Sequence, residues 1–277
     1  MKIYTLIENT KPKGSAFLCE HGLSLYFEHG KKRILFDTGS SDTFIYNATL
    51  LGIDLAKVDV CVISHGHYDH IGGLSHFLDI NKKAAVYMKR NAKRNLYTKK
   101  LFRIEQTGMP PNFFEKYGKR ITFIDEDTEV ANGVYAANIG KHRHYPQYSS
   151  MMYYEKGGKL VHDDLSHELF INIETDDGNV VLTGCAHHGL INILETASEN
   201  YGNIYAVIGG FHLNGTKNFG IRIKKESHHE IRTIAKYFEK NGIRKVYTGH
   251  CTGDKPLEKL RLLSRTKKMQ TGDIIKI

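Results

Sequence analysis

The chain has 277 residues, 40% hydrophobic and 25% charged, the ordinary balance of a soluble globular enzyme built as one unit over 1–277. Its four cysteines, Cys19, Cys61, Cys185 and Cys251, form no CxxC pair, which excludes a disulfide framework and a zinc ribbon and fits a cytoplasmic setting. No leader-like apolar region and no long apolar stretch occurs, so secretion and membrane spanning are not expected. The net charge of +9 points towards anionic small molecules, although most of it reads as a solvated basic surface.

In chain order, "KIYTLIEN", "LSLYFE" and "RILFDTG" read as short strands, the last two joined by the hairpin signal "HGKK". "SSDTFIYNATLLGI" predicts a helix with a Ser/Asp start and a stop at Gly52. "VDVCVIS" is a near-continuous apolar strand of the kind buried on both faces. The pattern then loosens, and the segment from about 82 to 165 is expected to contain a cap-like insertion over a site. Its "IGKHRHYPQYSS" stretch offers His142, His144 and Tyr145 as substrate contacts on local composition alone. The basic run "MKRNAKRNLYTKKLFR" would favour a phosphorylated ligand. Rhythm returns with two strands around "TDDGN", a helix at "LINILETASEN", a strand at "IYAVIGGFHL" and an amphipathic helix at "SHHEIRTIAKYFEKNGI". A strand at "KVYTGHC" and a helix at "DKPLEKLRLLS" follow, and the whole predicts a layered α/β architecture.

The sharpest signal is "VISHGHYDHIGG", which places His65, His67, Asp69 and His70 directly behind the apolar strand. In an extended segment alternate side chains share a side, so His65, His67 and Asp69 converge and His70 is expected on the opposite side. Two imidazoles begin one metal site, and a carboxylate with an imidazole begins a second beside it. Such donors suit zinc first, with manganese or iron as alternatives. Turn histidines on the surface are the bland alternative, and four ligand-type residues in this fixed pattern weigh against it. Further ligands should come from other strand ends. "VVLTGCAHHG" offers Cys185, His187 and His188, "KVYTGHCTG" offers His250, and "AVIGGFHL" offers His212. His187 and His250 are expected as ligands and His188 as an ordinary histidine. His212 stays open between a site contact, for which substrate binding is the expected role, and a satisfied core group.

These segments resemble the metallo-β-lactamase-fold hydrolases: "LFDTG" with Asp37, "SHGHYDH" and "TGHC" match their motifs. "CEHGLSLYFE", "VVLTGCAHHGLINIL" and "AVIGGFHL" sharpen the likeness to the subgroup named for 7,8-dihydropterin-6-ylmethyl-4-(β-D-ribofuranosyl)aminobenzene-5′-phosphate synthase. The resemblance implies a four-layer αββα sandwich with two divalent metal ions at one edge of the sheets. His65 and His67 would hold the first metal and Asp69 and His70 the second. His187 and His250 would complete the pair, with Asp37 bracing the ligand loop from behind. Many relatives carry a bridging aspartate where this chain has Cys185, and His167 in "SHELF" stands near a third histidine ligand of other relatives, as a rival to His187.

The expected activity is metal-dependent hydrolysis of a phosphorylated or ester-type small molecule by a hydroxide shared between two metals, with Asp69 as the catalytic carboxylate. One alternative is a transferase condensing a dihydropterin pyrophosphate ester with a ribofuranosyl-aminobenzene phosphate. Another is a non-catalytic metal-dependent binding protein. Nucleic acid is not the expected partner, and a homo-oligomer is left open.

Overall fold

The computed structural model describes residues 1–100, 103–140, 150–213, 217–218, 221–222 and 228–277. Two seven-stranded mixed sheets lie face to face. The first runs Ile274–Lys276, Lys2–Ile7, Ser24–His29, Lys32–Phe36, Val60–Val62, Ala85–Lys89, Ile121–Ile124. The second runs Thr266–Lys268, Lys245–Thr248, Ile204–Gly209, Asn179–Thr183, Phe170–Ile173, Val134–Ala137, Thr128–Ala131.

The period-two alternation of strands explains how both faces become buried. Val60 and Val62 point into the core between the sheets together with Phe27, Phe36, Ile171, Val180, Leu182 and Ile208. Cys61, between them, points the other way, towards Phe44, Leu74 and Phe77 of the helices Thr43–Leu50 and Leu74–Ile80. On the second sheet Val181 and Val207 meet Ile191, Leu194, Ile234 and Phe238 of the helices Leu190–Tyr201 and His228–Lys240. The expected four-layer αββα sandwich is the result. Among the described residues no helix is long and apolar enough to cross a membrane.

The hairpin at Gly30 pairs His29 with Lys32, as "HGKK" predicts. The helix at 43–50 takes its start from Ser41, whose Oγ accepts from Thr43 N–H at 3.1 Å, and Asp42 makes no side-chain cap. Within 82–165, four strands (85–89, 121–124, 128–131 and 134–137) are members of the two main sheets. The peripheral part is a four-stranded antiparallel sheet of Lys159–His162, Met152–Lys156, Leu96–Lys100 and Arg103–Gln106. It packs directly on the histidine loop, since Tyr68 N–H donates to the Thr107 carbonyl at 2.8 Å.

Candidate metal centre

Strands of both sheets end at the same edge, and the predicted donors gather there. All of His65, His67, Asp69, His70, His187 and His250 are buried. Ring centroids lie 4.7 Å apart for His65 and His67, 5.0 Å for His65 and His187, 4.9 Å for His67 and His187, and 4.8 Å for His70 and His250. His70 departs from the sequence expectation. The backbone turns helical over Tyr68–Ile71, so strict alternation ends at His67 and His70 swings to the same side, with its ring 4.1 Å from that of His65. Close packing at this edge needs glycine. A Cβ at Gly184 would collide with Ser64 Oγ, and one at Gly66 with the Ala92 carbonyl.

The orientation of the imidazoles follows from Asp37, a fully buried carboxylate at the end of the strand Lys32–Phe36. Its Oδ1 accepts from Ser64 N–H at 2.7 Å, and its Oδ2 accepts from Ser64 Oγ–H and from His70 Nδ1–H, both at 2.7 Å. Because the Ser64 hydroxyl proton goes to Asp37, Ser64 Oγ is left to accept from His65 Nδ1–H at 2.8 Å. Both histidines are thereby held as Nδ1–H tautomers with Nε2 lone pairs turned to the centre, the arrangement that metal-binding histidines need. His65 Nε2 and both nitrogens of His187 are buried with no hydrogen-bond partner. An unpaired buried nitrogen is costly unless a cation meets it, so these orphaned donors fit a metal site.

Cys185 Sγ lies 3.3 Å from His70 Nε2. Its sulfur groups within 4.8 Å with His65 and His187 on one side and with His70 and His250 on the other. The thiol thus stands between the two donor sets, where relatives were expected to carry a carboxylate. His167 and His187 differ in their hydrogen bonding. His167 Nδ1 accepts from Gly66 N–H at 3.2 Å and its Nε2 donates to Asp163 Oδ2 at 2.9 Å, whereas both His187 nitrogens lack a partner; His167 and Asp163 also group with His67 as possible donors.

The charge states of His65, His67 and His187 agree with this assignment. Burial, reinforced by neighbouring imidazoles, holds His65 and His187 well below the usual histidine range and His67 at about 3, which keeps them neutral donors. Burial works against ionisation of Asp69, but His70, His21 and His250 outweigh it and hold the carboxyl well below its usual range. Burial likewise opposes a charge on His250, and Cys251, Asp69 and Glu8 reverse this, raising it to about 9, so in the metal-free chain it holds a proton that a cation would displace.

Several contributors had no sequence signal. Ser64 and Asn9 act through hydrogen bonds alone. Glu168, beside His167, accepts from His187 N–H at 2.7 Å and from His188 N–H and Nδ1–H at 2.9 and 2.7 Å, which pins the turn that carries His187 and consumes His188. His21 sits exposed at the mouth, its Nε2 3.1 Å from Asp69 Oδ2 and its ring stacked 5.1 Å from that of His250. His212 is half-buried, with its ring 4.4 Å from that of His187 and its N–H donated to Cys251 Sγ at 3.2 Å. His142, His144 and Tyr145 lie outside the described residues. Several cations of the basic run are paired on the surface. Arg90 pairs with Asp125, Arg94 with Asp164, and Lys100 and Arg103 both with Glu105.

Mixed sheets in an αββα sandwich, with imidazole, carboxylate and thiol donors at one edge, define a metal-dependent enzyme fold. The family model described as the metallo-beta-lactamase superfamily matches residues 19–250, and the chain belongs to that superfamily. The chain is 32% identical, over 92% of its length and 88% of the relative's, to the 7,8-dihydropterin-6-methyl-4-(beta-D-ribofuranosyl)-aminobenzene-5'-phosphate synthase of Methanocaldococcus jannaschii. An uncharacterized protein of the same organism is 29% identical over 99% of this chain and 100% of its own. Among solved structures, Tm1679, described as a metal-dependent hydrolase of the beta-lactamase superfamily, is 29% identical with a TM-score of 0.83, covering 100% of this chain and 99% of that one.

Proposed function

We propose that the protein is a metal-dependent hydrolase of a phosphorylated or ester-type small molecule, working with two divalent cations, zinc before manganese or iron. The observation that carries this reading is the set of orphaned, inward-facing nitrogens on His65 and His187 beside a second donor set around Asp69. His65, His67 and His187 would hold one cation and Asp69, His70 and His250 the other, with Cys185 between them. When bound, such cations supply Lewis acidity towards a carbonyl or phosphoryl oxygen and make a water molecule acidic near neutral pH.

The chain's own residues do the rest. Asp37 fixes His65 through Ser64 and fixes His70 directly, so the donors are in place before any ligand arrives. Asp69, held ionised and able only to accept, orients the attacking water through a hydrogen bond to its carboxylate. Half-buried His212 lies beside His187, in reach of a bound substrate.

The test is metal analysis of the purified protein with a screen of phosphomonoesters, phosphodiesters, thioesters and lactams. Two equivalents of metal and one active class are expected, with His65→Ala and His67→Ala abolishing both metal content and turnover. Undiminished turnover in those variants would refute the assignment.

The similarity to the M. jannaschii synthase favours a second reading, group transfer onto a ribofuranosyl-aminobenzene phosphate. Release of pyrophosphate only in the presence of both substrates would select it over hydrolysis.

A further inference from the structure

His250 reaches the centre on a backbone with φ +44°, unusual for a residue with a side chain, so something must hold it there. Two residues just beyond the first strand do so. Glu8, buried, accepts from His250 N–H through Oε1 and from Thr10 N–H through Oε2. Asn9 grips the same residue at two points and is itself anchored at a third. Its Nδ2 donates to the His250 carbonyl at 3.0 Å, its Oδ1 accepts from Gly22 N–H at 3.1 Å, and Oδ1 also lies 3.0 Å from His250 Nδ1.

The first two bonds settle which end of the Asn9 amide is oxygen, because a carbonyl can only accept and a backbone N–H can only donate. The third bond therefore runs from His250 Nδ1–H to Asn9 Oδ1. His250 Nε2 is turned inward, 3.0 Å from His70 Nε2 and 3.3 Å from Asp69 Oδ2. His70 Nε2 carries a lone pair, since its Nδ1 proton goes to Asp37.

We infer that Asn9 is a positioning residue for His250: its amide fixes the tautomer and ring orientation that present Nε2 to the cation shared with Asp69 and His70. This rests on the assignment of His250 to that cation. The partner differs in kind from Asp37, which does the same for His70 with a full negative charge. A neutral amide orients the imidazole without adding charge beside Asp69.

The experiment compares wild type with Asn9→Leu and Asn9→Asp, loading cobalt(II) to read ligand-field absorption and zinc against a chromophoric chelator to read affinity. Asn9→Leu should lose about 10- to 100-fold in affinity for one equivalent only, leaving the other at its wild-type value. Asn9→Asp, which keeps the acceptor and adds charge, should bind that equivalent at least as tightly as wild type. Two wild-type equivalents in Asn9→Leu would overturn the inference, as would an equal weakening of both. Should Asn9→Leu not fold, Asn9→Asp decides: a weaker equivalent there overturns the inference, and a retained or tighter one with the other unchanged supports it. A wild-type chain that binds fewer than two equivalents would instead overturn the metal assignment beneath it.

Discussion

The first sheet delivers His65, His67, Asp69 and His70 from one short stretch behind a single strand, whereas the second delivers Cys185, His187, His212 and His250 from three separate strand ends. The contiguous set is held by a shared anchor, since Asp37 reaches both His65 and His70. The dispersed set is held piecemeal: Glu168 pins the His187 turn, and Glu8 and Asn9 hold His250. Backbone strain falls on both sides, with positive φ at Asp37 on the first and at Ala186, His212 and His250 on the second. One polar group therefore positions two ligands on the first side, while on the second each support serves its own ligand.

The largest break in that contrast is expected from Asp37→Ala. It strands Ser64 N–H and His70 Nδ1–H in a buried place and releases two imidazoles at once. The metal-free chain should lose about 3–5 kcal/mol, read by urea unfolding, and metal affinity should fall by about 100-fold or more in chelator competition. A variant with wild-type stability and metal content would remove Asp37 from its role.

A second test sharpens the difference between neighbouring histidines. His187→Ala should lower affinity for one metal equivalent by at least about 100-fold. His167→Gln should keep both equivalents and lose only about 1–3 kcal/mol of stability, because it breaks hydrogen bonds and no ligation. Loss of a metal equivalent in His167→Gln would reverse the assignment.

The two sides should also part with pH in chelator-treated protein. His65, His67 and His187 are depressed by burial, His67 to about 3, so below pH 6.5 the unfolded chain takes up protons that the folded chain refuses. Stability then falls on acidification, by about 1.4 kcal/mol per pH unit for each histidine. His250, raised to about 9, acts in reverse: its contribution is full below pH 6.5 and is lost as pH rises towards 9. Unfolding free energies at pH 5.5, 6.8 and 8.5 should peak near the middle, with the acid limb steeper. A flat profile would contradict these charge states.

The smallest effect is expected at the peripheral sheet. Lys100→Gln with Arg103→Gln should change KM for a phosphorylated substrate less than about 3-fold, since both cations are already paired with Glu105 on the surface. A large rise in KM would restore the anion-binding face.

The same contrast explains what could be read from the residues in order. The H-x-H-x-D-H run and the apolar strand before it are local, so their arrival at one edge was legible, as was that of the strand-end histidines His187 and His250. His70 was misplaced because a four-residue helix interrupts the alternation. The holding groups were invisible for a different reason. Asn9 and His250 are 241 positions apart, and a lone asparagine or glutamate carries no pattern until the fold brings it to its partner. The ion pairs of the basic run were not legible, because charge in a sequence does not reveal its pairing with Asp125, Asp164 and Glu105.

The final strand, Ile274–Lys276, pairs with the first, and Thr271 joins Glu8 through bonds in both directions, 2.8 and 3.1 Å long. Glu8 and Thr271 are 263 positions apart, so the support beneath the His250 turn closes through pairing of the long-range kind, which is slow to form.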